Sequence, residues 1–157
     1  MVIEIRQESP LQDDVRALIA ELNAVLLELT PPEFCYHMTV EQMADPATTV
    51  WIARLDGEAV GCGALRRIGE GAGEVKRMFV RPALQGSGIA GRIVAEIEAL
   101  ARAEGLERLL LETGDRHPAA WRVYERAGFT RCGPFGDYPD SGYSVFYEKP
   151  LDQASGA

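Results

Sequence analysis

A chain of 157 residues with 46% hydrophobic content has the size of a single domain that buries its own core, and a formal net charge of −8 sets it against nucleic acid and toward cationic partners. No apolar run approaches membrane-spanning length and no basic-then-apolar leader opens the sequence. Cys35, Cys62 and Cys132 are odd in number and lack C-x-x-C spacing, so the expectation is a cytoplasmic protein with reduced thiols, no metal site and no membrane partner.

Residues 2–6 alternate and predict a short strand, which Ser9-Pro10 ends. From 11 to 29 the apolar residues Leu11, Val15, Leu18, Ile19, Leu22, Val25, Leu26 and Leu29 recur at helical spacing, predicting an amphipathic helix against a sheet. Pro31-Pro32 stops it. A polar-aromatic loop over 33–38 follows, then a short helix at 40–44. Loops of this kind often carry specificity, which makes Glu33, Phe34 and Tyr36 candidate acceptor contacts.

Segments 48–55 and 58–67 are alternating runs joined by Asp56-Gly57, a strong hairpin signal, and a glycine-rich connection at 69–73 leads to a strand over 74–80. Lys76 and Arg77 are expected to face solvent or flank this strand. Ile89, Ile93, Val94, Ile97, Leu100 and Ala101 mark one face of a helix over 89–103, and Leu109-Leu110-Leu111 lies in a buried strand over 106–113. A strand, helix, strand succession of this length predicts a parallel crossover, with the fourth and fifth strands side by side.

His117-Pro118 predicts the start of another helix, with His117 at the N-cap, running to about Arg126 and ending at Gly128. A strand begins at 129–132, a turn-rich loop covers 134–140, and 144–149 alternates as a final strand, an edge through which two copies could pair as a homodimer. The domain is expected to span 1–150, with 151–157 a disordered tail.

Between the predicted strand at 74–80 and the helix at 89–103 lies Gln85-Gly86-Ser87-Gly88-Ile89-Ala90-Gly91, a glycine-rich turn at a helix start. Unpaired N–H groups there, with the positive end of the helix dipole, suit a phosphate. Gly86, Gly88 and Gly91 match the G-x-G-x-x-G of dinucleotide sites, with Glu112 at about the 20-residue offset of a ribose-binding acid. The remaining chain has room for only one more βα unit, too little for a doubly wound sheet. A P-loop fails because Arg92-Ile93 stand where Lys-Ser/Thr is required.

Gln85-x-x-Gly88-x-Ala90 after Val75-Lys76-Arg77-Met78-Phe79-Val80, followed by Pro118-x-Ala120-x-x-x-Tyr124-x-x-x-Gly128-Phe129, resembles the two motifs of the GNAT-type N-acetyltransferases over roughly residues 1–150. The resemblance implies an α/β (α+β) fold, a mixed, mostly antiparallel twisted sheet of six to seven strands with about four helices, splayed between the fourth and fifth strands. It implies acetyl-CoA as acyl donor, with its diphosphate on Gln85, Gly86, Ser87, Gly88, Ile89, Ala90 and Gly91. Its pantetheine arm would lie along the backbone of Met78, Phe79 and Val80, with further contacts from His117, Ala120, Tyr124 and Arg126.

Tyr124 would protonate the departing thiolate and Glu74 would take the amine proton. Cys62 and Cys132 lie in apolar strands, so direct transfer is expected over a cysteine acyl-enzyme. The acceptor implied is a primary amine entering beside 33–37 and 134–143; the net charge favours a cationic small molecule over an acidic one, and a small cationic amine is preferred over a protein lysine or N-terminal amine, which stays open. The alternative is a non-catalytic acyl-CoA-binding module, in which the cradle persists and Tyr124 and Glu74 are dispensable.

Overall fold

The computed structural model describes residues 2–35 and 38–151. Seven strands form one sheet in the order β1-β2-β3-β4-β5-β7-β6: β1 Ile3–Gln7, β2 Thr48–Leu55, β3 Glu58–Gly69, β4 Ala72–Val80, β5 Arg108–Gly114, β6 Thr130–Cys132 and β7 Ser144–Pro150. Every adjacent pair is antiparallel except β4–β5. Four α-helices flank it: α1 Asp13–Leu29, α2 Val40–Met43, α3 Ile89–Ala103 and α4 Pro118–Arg126.

The sheet carries a core on each face. Val15, Leu18, Ile19 and Leu22 form the stripe of α1 that packs with Ile52, Cys62, Ala64 and Phe79. On the other face Ile89, Ile93, Val94, Ile97 and Ala101 of α3 pack with Val75, Leu109, Leu111 and Tyr147. Ion pairs seat the first helix: Arg54 bonds Glu8 and Asp14, and Arg81 bonds Glu21 and Glu58.

Two hairpins lead to the site. Leu55 pairs with Glu58 across Asp56 and Gly57, whose φ of 49° and 90° are those of a two-residue turn matched to strand twist. The connection read as a loop over 69–73 is also a tight turn. Gly69 pairs with Ala72 around Glu70 and Gly71, at φ 57° and 74°, so β3 and β4 reach further than their patterns suggest.

Between β3 and β4 the register slips: Cys62 faces Phe79 and Ala64 faces Lys76, so Arg77 and Met78 stand against Gly63 alone. Arg77 adopts φ 58° at this bulge. One extra residue reverses the alternation. Val75 therefore enters the α3 core while Phe79, an even number of residues later, enters the α1 core.

Three expectations are corrected. Strand β7 is no open edge of the sheet: it lies between β5 and β6, and β6 pairs with its residues 146–148. Leu151 is no part of a loose tail, since its side chain is buried and its N–H donates to the Glu107 carbonyl at 2.8 Å. Lys76 and Arg77 do not face solvent: Arg77 is 7% exposed and the Lys76 side chain 9%. Tyr36, His37 and residues 152–157 lie outside the described part of the chain.

Candidate active site

Strands β4 and β5 pair over only four residues, Ala72 to Val75 against Arg108 to Leu111. Beyond Val75 they part. β5 runs on to Gly114 paired only with β7, which leaves the facing side of β4 open from Lys76 onward. This is the splay expected between the fourth and fifth strands. Arg81 N–H donates to the Val60 carbonyl, so strand alternation turns Val80 and Met78 main-chain groups to the opening and Phe79 toward β3. Of the three residues expected along the pantetheine arm, Met78 and Val80 thus present backbone groups.

A cavity of about 100 Å3 occupies the fork. Residues 75–78 and 112–114 line its sides, Tyr124 comes from α4, and Leu22 and Leu26 come from α1. Tyr124 belongs to the α3-side core and Leu22 to the α1-side core, so the cavity passes through the sheet from one face to the other. Such an opening lets two reactants approach one point from opposite sides.

On the α3 side lies the glycine turn. Gly86 and Gly88 have φ of 87° and 88°, and a Cβ added at Gly86, Gly88 or Gly91 would meet nothing within 4 Å. The cradle is open. The Gln85 and Ser87 amides are taken by the Pro82 and Leu84 carbonyls, and the Gln85 side chain donates to the Val80 carbonyl at 3.1 Å. These two residues brace the turn. Among the described residues, the N–H groups of Gly86, Gly88, Ile89, Ala90 and Gly91 keep no such partner, which fits a diphosphate at the head of α3.

Tyr124 is buried, its ring 5.9 Å from Phe129 and 6.2 Å from Tyr147. Burial, helped by the Glu112 charge, raises its pKa far above the ordinary tyrosine value and keeps the hydroxyl protonated. Ala120 packs against the same core and Arg126 is exposed on the helix surface. His117 occupies the N-cap position but makes no capping bond with its side chain. Its ring lies instead over Gly114, where an added Cβ would come within 2.4 Å of Cδ2, and burial lowers its pKa.

On the α1 side Glu74 is buried with Oε2 accepting from the Tyr138 hydroxyl at 2.5 Å and from Lys76 Nζ at 3.3 Å. It does not line the cavity. The cavity's carboxylate is Glu112, which accepts from Ser144 Oγ at 2.6 Å. Burial raises its pKa above 4.5, with Ser144 and Lys76 opposing and Glu74 adding to the rise. Cys35 and Tyr143 line this side, whereas Glu33 is exposed and the Phe34 side chain and Tyr36 are not among the described groups.

The residues not anticipated in these roles are Glu112, read in the sequence only at the offset of a ribose-binding acid, Tyr138 and the buried pair Lys76 and Arg77. Alternation along β4 puts Lys76 with Glu74, and that much was readable. The bulge that brings in Arg77 carries no glycine or proline to announce it.

The model of the acetyltransferase (GNAT) family matches residues 16–129. A protein of Azospirillum brasilense named IAA acetyltransferase is 45% identical over 150 residues, covering 95% of this chain and 98% of its own. The crystal structure of a protein from Klebsiella pneumoniae subsp. pneumoniae described as an acyl-CoA N-acyltransferase superposes with TM-score 0.81 at 33% identity, covering 96% of this chain and 99% of that one. A PaiA N-acetyltransferase from Thermoplasma acidophilum, solved in complex with coenzyme A, shares the fold with TM-score 0.71 at 17% identity, covering 96% and 99% of the two chains.

Proposed function

The chain belongs to the acetyltransferase (GNAT) family, and from that membership we propose that it transfers the acetyl group of acetyl-CoA directly to a primary amine of a small molecule. The observation that carries this reading is the cavity between β4 and β5, with the free amides of Gly86 and of residues 88–91 at one side of the sheet and a carboxylate, Glu112, facing in from the fork. Acetyl-CoA supplies the activated thioester. The amides at the start of α3 hold its diphosphate, and the open backbone of Met78 with the N–H of Val80 aligns its arm toward Tyr124.

An alkyl ammonium has a pKa near about 10.4 and must lose a proton before it attacks a carbonyl. Glu112 takes that proton, directly or through water, because it faces the cavity while Glu74 is engaged by Tyr138 and Lys76. Glu74 acts behind it, holding Lys76 and Tyr138 in place. Tyr124 gives its proton to the coenzyme sulfur as the C–S bond breaks, and leaves a neutral thiol.

The test is a panel of primary amines with acetyl-CoA, read by release of free thiol. Amine-dependent release is expected for at least one small amine. Tight coenzyme A binding with no amine turned over would replace this reading with the non-catalytic acyl-CoA-binding module.

A further inference from the structure

Arg77 sits in the bulge of β4 with only 7% of the residue exposed, its guanidinium bonded to the Asn23 side-chain amide oxygen of α1. Its Nε has no hydrogen-bond partner, and among the described residues no carboxylate lies within ion-pairing distance of it. A buried charge without a counter-charge is strongly unfavourable, and proteins normally pair it. The other charged groups at the cavity are provided for. Lys76 has Glu74 and the Tyr138 hydroxyl, and Glu112 has Ser144. Arg77 lines the same cavity beside Leu22 and Leu26, on the side away from the glycine turn.

Resting on the acetyl-transfer reading above, we propose that the acceptor is an amino acid-like molecule whose carboxylate is received by Arg77 while its amine faces Glu112. The planar guanidinium, with one N–H pointed at no protein acceptor, matches the two oxygens of a carboxylate. Asn23 fixes its orientation without neutralising it. Burial already pulls its pKa down to about 10, the sign of a cation short of compensating charge. An anionic ligand removes that penalty. The net charge of −8 therefore acts on the acceptor only at long range, and the groups inside the cleft select a molecule bearing both signs.

The experiment compares α-, β- and γ-amino acids with their carboxamides as acceptors, in the wild type and in Arg77→Met and Arg77→Lys. At least one amino acid is expected to exceed its carboxamide by about tenfold or more in kcat/KM, because a buried donor left unpaired discriminates strongly. Arg77→Met should erase that difference with coenzyme A affinity unchanged, and Arg77→Lys should keep part of it. Ligand-free Arg77→Met should unfold at the same temperature as the wild type or higher, since an uncompensated charge is gone.

Equal turnover of acids and carboxamides by the wild type overturns the inference and leaves acetyl transfer standing. So does a lower unfolding temperature of Arg77→Met with the acid preference intact, which makes Arg77 a structural tie to α1. If no amine is turned over, acetyl transfer falls. The anion site then survives only if amino acids raise the unfolding temperature of the wild type and not of Arg77→Met.

Discussion

Tyr124 and Glu112 line the same cavity, and burial raises the pKa of both. For the tyrosine this secures a proton to give, and for the carboxyl it strengthens the base. Tyr124→Phe should lower kcat by about 10²- to 10⁴-fold with the coenzyme dissociation constant unchanged, as stopped-assay kinetics and calorimetry would show. Glu112 must be ionised to accept a proton, so kcat/KM should fall as pH drops toward its titration, at a midpoint above 4.5. Glu112→Gln should remove that acid limb along with most of the rate. A carboxyl whose folded pKa is raised loses relative stability as pH climbs through it, so Glu112→Gln should unfold no lower than wild type at neutral pH. Glu74→Gln separates the two carboxylates: an equal loss of rate and acid limb there would return the base to Glu74. His117 has the opposite shift. Its folded pKa lies below 6.5, so the unfolded chain binds the proton first and stability drops as pH falls below that value. His117→Gln should flatten that part of the curve of unfolding temperature against pH.

At the level of the elements, close approach and a single inserted residue decide the geometry of the fork. Gly63 lies opposite the bulge, and a Cβ there would come within 2.5 Å of Met78 Sδ and 2.6 Å of Ile93 Cγ2. Gly63→Ala should therefore push α3 from the sheet, destabilise by about 1–3 kcal/mol in chemical denaturation, and weaken coenzyme binding through displaced Met78. Gly91 of the cradle behaves differently, because it has open space around it at an ordinary φ, whereas Gly86 and Gly88 are held at φ of 87° and 88°. Much of this architecture is written locally. Asp56-Gly57 announces its hairpin, the stripes on α1 and α3 announce their buried faces, and Gly86 to Gly91 announce a phosphate-sized opening. What is not local stays hidden. Nothing in Val75-Lys76-Arg77-Met78 marks a bulge, so strand alternation alone places Arg77 wrongly. The partner of β7 depends on where β6 lands, and Glu112 reads as one more residue of a buried strand until β5 is seen to part from β4.

The whole molecule is two pieces of sheet, β1 to β4 and β5 to β7, joined along four residue pairs and bridged by α3. A ligand that spans the fork must hold both pieces at once: its phosphates on the head of α3, its arm on β4, its thioester against Tyr124 of α4. Binding only the native arrangement, it stabilises the fold by mass action, about 2.7 kcal/mol at a concentration 100 times its dissociation constant. Coenzyme A should accordingly raise the unfolding temperature, whereas a nicotinamide dinucleotide should not, because the sheet lacks the second half that such a ligand occupies. Hydrogen exchange locates the effect. Without ligand the Met78 and Val80 amides, turned into the opening, should exchange faster than that of Phe79, which pairs with Cys62 across the sheet. Coenzyme A should slow the two open amides and those of Gly86 and residues 88–91 while leaving Phe79 nearly unchanged. Equal protection of all three β4 amides would mean a general tightening of the fold rather than an arm lying in the fork.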